Sequence, residues 1–155
     1  MPPTDLNIFF RLFVALILSG VLGWERERSG KAAGLRTHML VGMGATLFVA
    51  IGELFIFRFS GYEQDMQFDP TRIIEAVVSG VSFLGAGTIF MSRDRDRVKG
   101  LTTAASIWIT AAVSMLVGIE RYLLAIGSTV LIFGVLHVLS SLERKQKEKK
   151  QKEKK

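Results

Sequence analysis

Gly23-Trp-Glu-Arg-Glu-Arg-Ser-Gly-Lys-Ala-Ala-Gly-Leu-Arg-Thr-His-Met-Leu-Val41 joins the first two apolar segments of this 155-residue chain, and its reading decides the fold. Six charged side chains (Glu25, Arg26, Glu27, Arg28, Lys31 and Arg36) are packed between two hydrophobic runs of membrane length. A bilayer core of about 30 Å needs about 20 apolar residues in helical form to cross it. Five such runs are read along the chain: Leu6–Trp24, Met39–Phe57, Ile73–Met91, Leu101–Ile119 and Tyr122–Leu142. A segment surrounded by lipid must satisfy its backbone hydrogen bonds internally, so each is expected to be an α-helix. The expected fold class is all-α, an integral membrane bundle of five transmembrane helices over residues 1–142, followed by a Lys-rich tail over 143–155.

Composition agrees: 49% of the residues are hydrophobic and the mean hydropathy is +0.34, with polar residues gathered into short segments. Cysteine is absent, which excludes disulfides and thiolate metal sites. The leader Met1–Leu6 has no basic region and carries Asp5, so the first run is read as a span and not as a cleaved signal.

Charge placement sets the expected orientation. The first joint holds four Lys or Arg, the connection after the third span four (Arg93, Arg95, Arg97, Lys99), and the tail eight. Only Arg11, Arg58, Arg72 and Arg121 fall on the other side. The positive-inside rule then places the N-terminus outside and the C-terminus in the cytosol. The tail, rich in Lys, Glu and Gln, reads as a solvated helix end or as a basic segment attracted to anionic lipid. It lacks aromatic residues for base stacking, so nucleic acid is not expected as a partner.

Helices in lipid associate through small residues. Thr102, Ser106, Thr110, Ser114 and Gly118 form such a stripe on the fourth span, and Ala15, Ser19 and Gly23 on the first. Ala76, Gly80 and Gly87 suggest one on the third, while Gly85-Ala-Gly87 could interrupt that span. Trp24 suits the interface, and Trp108 is expected to pack between helices. Ionisable groups inside a bilayer are costly and usually paired or functional. Arg11, Glu53 and Glu75 all fall in the outer part of their spans, so Arg11 is expected to pair with Glu53 or Glu75. That pair is either structural or an outward-facing cation or proton site. No carboxylate, His, Lys or Arg lies at mid-depth, around Leu16, Phe48, Ser82, Thr110 and Ile132. His137 lies near the inner end of the fifth span.

Three segments stand together in order between the spans. They are Gly23-Trp-Glu-Arg-Glu with Ala33-Gly-Leu-Arg-Thr-His38, then Ser79-Gly-Val-Ser-Phe-Leu-Gly-Ala-Gly87, then Val98-Lys-Gly-Leu-Thr-Thr-Ala-Ala105. With Arg11-Leu12 and Asp69-Pro-Thr-Arg72, they closely resemble the membrane region of the MgtC/SapB family over about residues 8–140. Ser82 stands where that family usually has Gly, Ala76 where Gln is common, and Glu75 looks like an addition. The family's larger members carry a cytosolic C-terminal domain, whose role is expected here to be missing or supplied elsewhere. The resemblance implies a non-enzymatic, multi-pass protein of the bacterial inner membrane, linked to adaptation to low magnesium and, in pathogens, to survival inside host cells. It also implies either Mg²⁺ uptake or action on a membrane partner such as the F-type ATP synthase.

With the orientation above, the three motifs gather at one cytosolic face: Glu25, Arg26, Glu27, Arg36, Thr37, Gly85, Gly87, Lys99, Gly100, Thr102 and Thr103. Thr102 or Thr103 could cap a helix N-terminus, which also favours anions. A phosphate or lipid headgroup near Arg36 and Lys99 is one expectation, and a capped helix with a salt-bridged joint is the other. No resident cofactor is expected. Glu25 and Glu27 are possible oxygen ligands for Mg²⁺, which needs only one or two carboxylates, but adjacent Arg26 and Arg28 oppose it. Homo-oligomers are compatible with this reading.

Overall fold

The computed structural model describes residues 3–59, 69–91 and 100–152, with side chains as far as Phe90 in the second stretch and Val138 in the third. Five helices follow in order: α1 (Asp5–Arg28), α2 (Leu35–Phe59), α3 (Thr71–Met91), α4 (Leu101–Gly118) and α5 (Tyr122–Lys152). There is no strand among the described residues. The first four helices are long and apolar enough to cross a membrane, and α5 contributes an apolar stretch, Tyr122–Val138.

Where lipid replaces water, large apolar side chains belong on the outside. Phe13, Leu40, Phe48, Phe83, Leu123 and Leu131 are all exposed. The interior is made of small and hydroxylated residues instead: Ala15, Ser19, Ala45, Thr46, Ser106, Thr110, Ala111 and Ser114 are buried. α4 is the central element and touches every other helix, whereas α3 touches only α2 and α4 among the described residues. The close approach of α1, α2 and α4 depends on Gly42, where an added Cβ would lie 2.6 Å from Ser19 Oγ and 2.8 Å from Ser114 Oγ.

The helix ends differ from the spans read in the sequence. α1 runs one turn past Trp24 to Arg28, and α2 begins at Leu35, so the nineteen-residue joint shrinks to residues 29–34. Arg26 and Arg28 in the last turn of α1 complement its dipole, which favours continuation. α3 is continuous through Gly85 and Gly87. Its contact face is also not the small-residue stripe. Ala76, Gly80 and Gly87 are exposed, while Val77, Val81 and Gly85, one position round the helix, are buried. Gly85 meets Ala104 of α4, and Val77 and Val81 join a cluster with Ile107 and Ala111. With no helix against its other faces, α3 needs close packing on one side only. Trp108 is 45% exposed and does not pack between helices; it borders an open cleft beside α4.

Neither Thr102 nor Thr103 caps α4. Its N-cap is Gly100, which makes no side-chain cap hydrogen bond. Gly100 has φ 93°, the left-handed region, and an added Cβ would lie 2.6 Å from the Thr88 carbonyl oxygen. Glycine is therefore required there twice, for conformation and for space.

Candidate functional site

Polar side chains collect at both ends of the bundle. The first cluster is at the end where α1 meets α2. Arg26 is 1% exposed and Glu25 4%, and the two form an ion pair in which Arg26 Nε and Nη2 face Glu25 Oε2. Ser29 Oγ donates to the other Glu25 oxygen at 2.8 Å, and Arg26 Nη2 donates to the Leu136 carbonyl of α5 at 3.2 Å. Arg26 thereby ties α1 to α5 across a sequence separation of 110 residues.

His38, fully buried on α2, lies beside this pair. Its Nδ1 is 2.9 Å from the Gly34 carbonyl, which can only accept, so Nδ1 carries the proton. Nε2 is 3.2 Å from Ser106 Oγ on α4, and the same hydroxyl is 2.8 Å from the Thr103 carbonyl. With a neutral ring, the one Ser106 proton has two acceptors, Nε2 and the Thr103 carbonyl. The α1–α2 crossing is tight here, since a Cβ on Gly23 would lie 2.8 Å from both His38 Cβ and Leu35 Cα.

The other motif residues divide. Glu27 is exposed and accepts the Leu35 N–H at 2.8 Å, so it satisfies one of the unpaired donors that open α2. Glu25 and Glu27 thus each have a protein partner. Arg36 and Thr37 are exposed, as is Gly87, whose added Cβ would meet nothing within 4 Å. Thr103 is buried. Thr102, Gly85 and Arg26 line one common cleft of about 860 Å³ between α3, α4 and α5, with Lys31 at the same end. Lys99 lies outside the described residues, as do Arg93, Arg95 and Arg97. Glu25, Arg36 and Thr102 therefore do not form one site: Glu25 is sealed by Arg26, Thr102 faces the cleft, and Arg36 is not part of its lining.

The second cluster is at the opposite end. Arg11 is 3% exposed and lies between two carboxylates, Glu53 of α2 and Glu120 in the turn after α4, each at 2.5 Å. Arg11 Nη1 also donates to the Gly118 carbonyl at 2.8 Å, and Asn7 Nδ2 donates to Glu120 at 2.9 Å. Glu120 sits at φ 61°, the one non-glycine residue with positive φ among those described. The Asn7 amide first, and then the Arg11 guanidinium, hold the Glu120 carboxyl below its usual value, against partial burial. Glu75 is exposed, with no ion pair among the described residues. Beyond the membrane spans, Asp69 accepts from the hydroxyl and N–H of Thr71 at the start of α3, which also lowers its carboxyl.

Sequence reasoning missed three participants. Glu120 lies one residue beyond the fourth span at the depth of Arg11, a signal that was available. His38 closes the first motif and lies at i and i+4 from Gly34, the spacing at which its ring reaches that carbonyl. The Leu136 carbonyl has no sequence signature. His137 is exposed and stacks on Phe133, with centroids 5.8 Å apart.

Among the described residues, no group of three or more His, Asp or Glu could hold a metal ion. The profile of the MgtC family matches residues 12–145. The chain is 42% identical over 136 residues to the protein called putative magnesium transporter YhiD of Escherichia coli K12, covering 88% of this chain and 62% of that protein. It is 38% identical over 158 residues to protein SrpB of Synechococcus elongatus, covering 95% and 81%. It is 41% identical over 128 residues to protein MgtC of Brucella abortus, covering 83% and 49%. The chain thus spans about three fifths of the YhiD protein and half of the Brucella one. No solved structure matches significantly.

Proposed function

The chain belongs to the MgtC family of multi-pass bacterial inner-membrane proteins, and from that premise we propose that it works in magnesium-linked ion homeostasis without catalysis, by engaging a membrane partner or ligand. The engaging surface is the end of the bundle that exposes Glu27, Arg36 and Thr37 around the buried Glu25, Arg26, His38 and Ser106. Charge placement supports a cytosolic position for that end. The F-type ATP synthase is the partner that the family resemblance offers.

One observation carries this reading against conduction through a single copy: the closed middle of the bundle. Between the two polar ends, Gly42 is packed directly against Ser19 and Ser114, and Thr46 and Thr110 are fully buried. The Thr46 hydroxyl is consumed by the Ser114 carbonyl at 2.8 Å and the Thr110 hydroxyl by the Ser106 carbonyl at 2.7 Å. Nothing charged is available at mid-depth to replace the waters that Mg²⁺ gives up reluctantly.

A second reading, cation transport, is favoured by the half-exposed carboxylates around Arg11 and by the name of the Escherichia coli relative. Reconstitution into liposomes with an internal Mg²⁺ indicator separates the two. The expected result is no influx above empty liposomes, together with loss of growth at limiting magnesium when the gene is deleted. Robust influx abolished by Glu53→Gln or Glu120→Gln would establish transport in its place.

A further inference from the structure

We propose that the outward side of α3 is a self-association surface, along which two copies of this chain pair, α3 against α3, about a two-fold axis normal to the membrane. Val77, Val81 and Gly85 turn the other side of α3 to its own bundle. On the outward side, Gly80-Val-Ser-Phe83 and Gly87-Thr-Ile-Phe90 repeat one pattern at a spacing of seven residues within a continuous helix. Both phenylalanines are exposed, and a Cβ added at either glycine meets nothing within 4 Å. Nothing within one copy uses these glycines or covers these rings. A seven-residue repeat keeps one seam facing a partner when two helices coil around each other. In such a pair glycine leaves the hole and phenylalanine supplies the knob, and small residues allow the close approach by which helices associate in lipid. Ala76 and Ser79, also exposed, continue the seam.

Charge selects a second copy as the partner. Arg72 and Glu75 lie toward the start of α3, both exposed and neither in an ion pair among the described residues. The neighbouring Asp69 is engaged by the hydroxyl and N–H of Thr71. A carboxylate on the lipid-facing side of a span is costly without a partner. Copies of one protein insert with the same orientation, so their α3 helices run parallel. Arg72 of each copy then stands within about 4.5 Å in depth of Glu75 of the other, at 1.5 Å of rise per residue. The two-fold axis makes both contacts at once, because the same patch meets itself.

α5 provides an internal contrast. It also has two open glycines seven residues apart, Gly127 and Gly134. Val130 and His137 stand where α3 has phenylalanine, and no carboxylate lies in the apolar stretch Tyr122–Val138. Open glycines alone do not make the surface; the knobs and the unpaired charges beside them do.

The contact rests on α3 and not on the magnesium reading, so either can fail alone. The chain has no cysteine, so one introduced thiol reports only on itself. In native membranes containing the full chain, Ser79→Cys treated with copper phenanthroline is expected to give a dimer-sized band, with Val130→Cys on α5 giving far less. Gly80→Leu in the Ser79→Cys background should lower that yield about tenfold, within the usual range for overpacking a contact. The added side chain meets open space within one copy, so in dilute detergent, where copies separate, the Tm stays that of the parent. Glu75→Arg in the same background should also lower the yield, and adding Arg72→Glu should restore it. Equal yields from positions 79 and 130, a yield unaltered by Gly80→Leu, a band containing a different protein, or no restoration by the charge exchange overturns the proposal.

Discussion

The two ends of the bundle solve the same problem in opposite ways. At the α1–α2 end, Arg26 and Glu25 are both sealed from solvent and satisfy one another. At the far end, Arg11 is sealed but its partners Glu53 and Glu120 are 41% and 45% exposed. A buried pair is fragile to the loss of one partner, because the survivor is left charged and desolvated. A cation shared between half-exposed carboxylates is more tolerant, because Glu120, in the turn beyond α4, can turn to water. The comparison teaches that burial of the partner, more than the number of ion pairs, decides how much an arginine matters.

The strongest challenge to that contrast is Arg26→Met. It should destabilise the protein by about 3–5 kcal/mol, read as a lowered Tm in mild detergent, because it strands the Glu25 carboxylate. The double variant Glu25→Gln/Arg26→Met should recover most of the loss. Arg11→Met should cost less, about 1.5–3 kcal/mol, the worth of hydrogen bonds to a charged group. If Arg11→Met proves the more damaging, the contrast between the ends is wrong.

Gly42→Val probes what separates the ends. Its added bulk meets Ser19 and Ser114, and a loss of about 1–3 kcal/mol is expected from overpacking. An unchanged Tm would mean that the middle is looser than the packing indicates.

Acidity should weaken the far end through Glu120. The folded-state value of Glu120 is depressed, so its stabilisation is complete above the ordinary carboxylate value of about 4.5 and disappears as pH falls through the lower folded value. The Tm difference between wild type and Glu120→Gln should shrink over that acidic window, with a total effect below about 1 kcal/mol. Glu75→Gln, at the bottom of the scale, should leave the Tm unchanged.

Much of the fold was legible because lipid imposes simple rules on length and polarity. The spans Ile73–Met91 and Leu101–Ile119 match α3 and α4 to within two residues, and Met39–Phe57 lies within α2, which starts four residues earlier. The interior stripes on α1 and α4 followed from small residues at every fourth position, except that Thr102, the first of the α4 stripe, is exposed. The stripe on α3 failed, because small residues signal close packing only where a helix stands opposite, and α3 has neighbours on one side. The far end was half legible: Arg11, isolated in an apolar run, demands a partner, but Glu120 looked like part of a turn. The near end was the least legible. Six charges within twelve residues resemble a solvated connection, and nothing local reveals that α1 carries Arg26 to the Leu136 carbonyl of α5.

α3 is held along one edge, by α2 and α4, and is tied to the next helix through the left-handed turn at Gly100. Segments with few buried partners open at lower free energy than the body they rest on. In a bilayer, an apolar helix that detaches remains a stable span, surrounded by lipid and still hydrogen-bonded within itself. A release of α3 would therefore part its seam with α2 and α4 and leave its insertion intact.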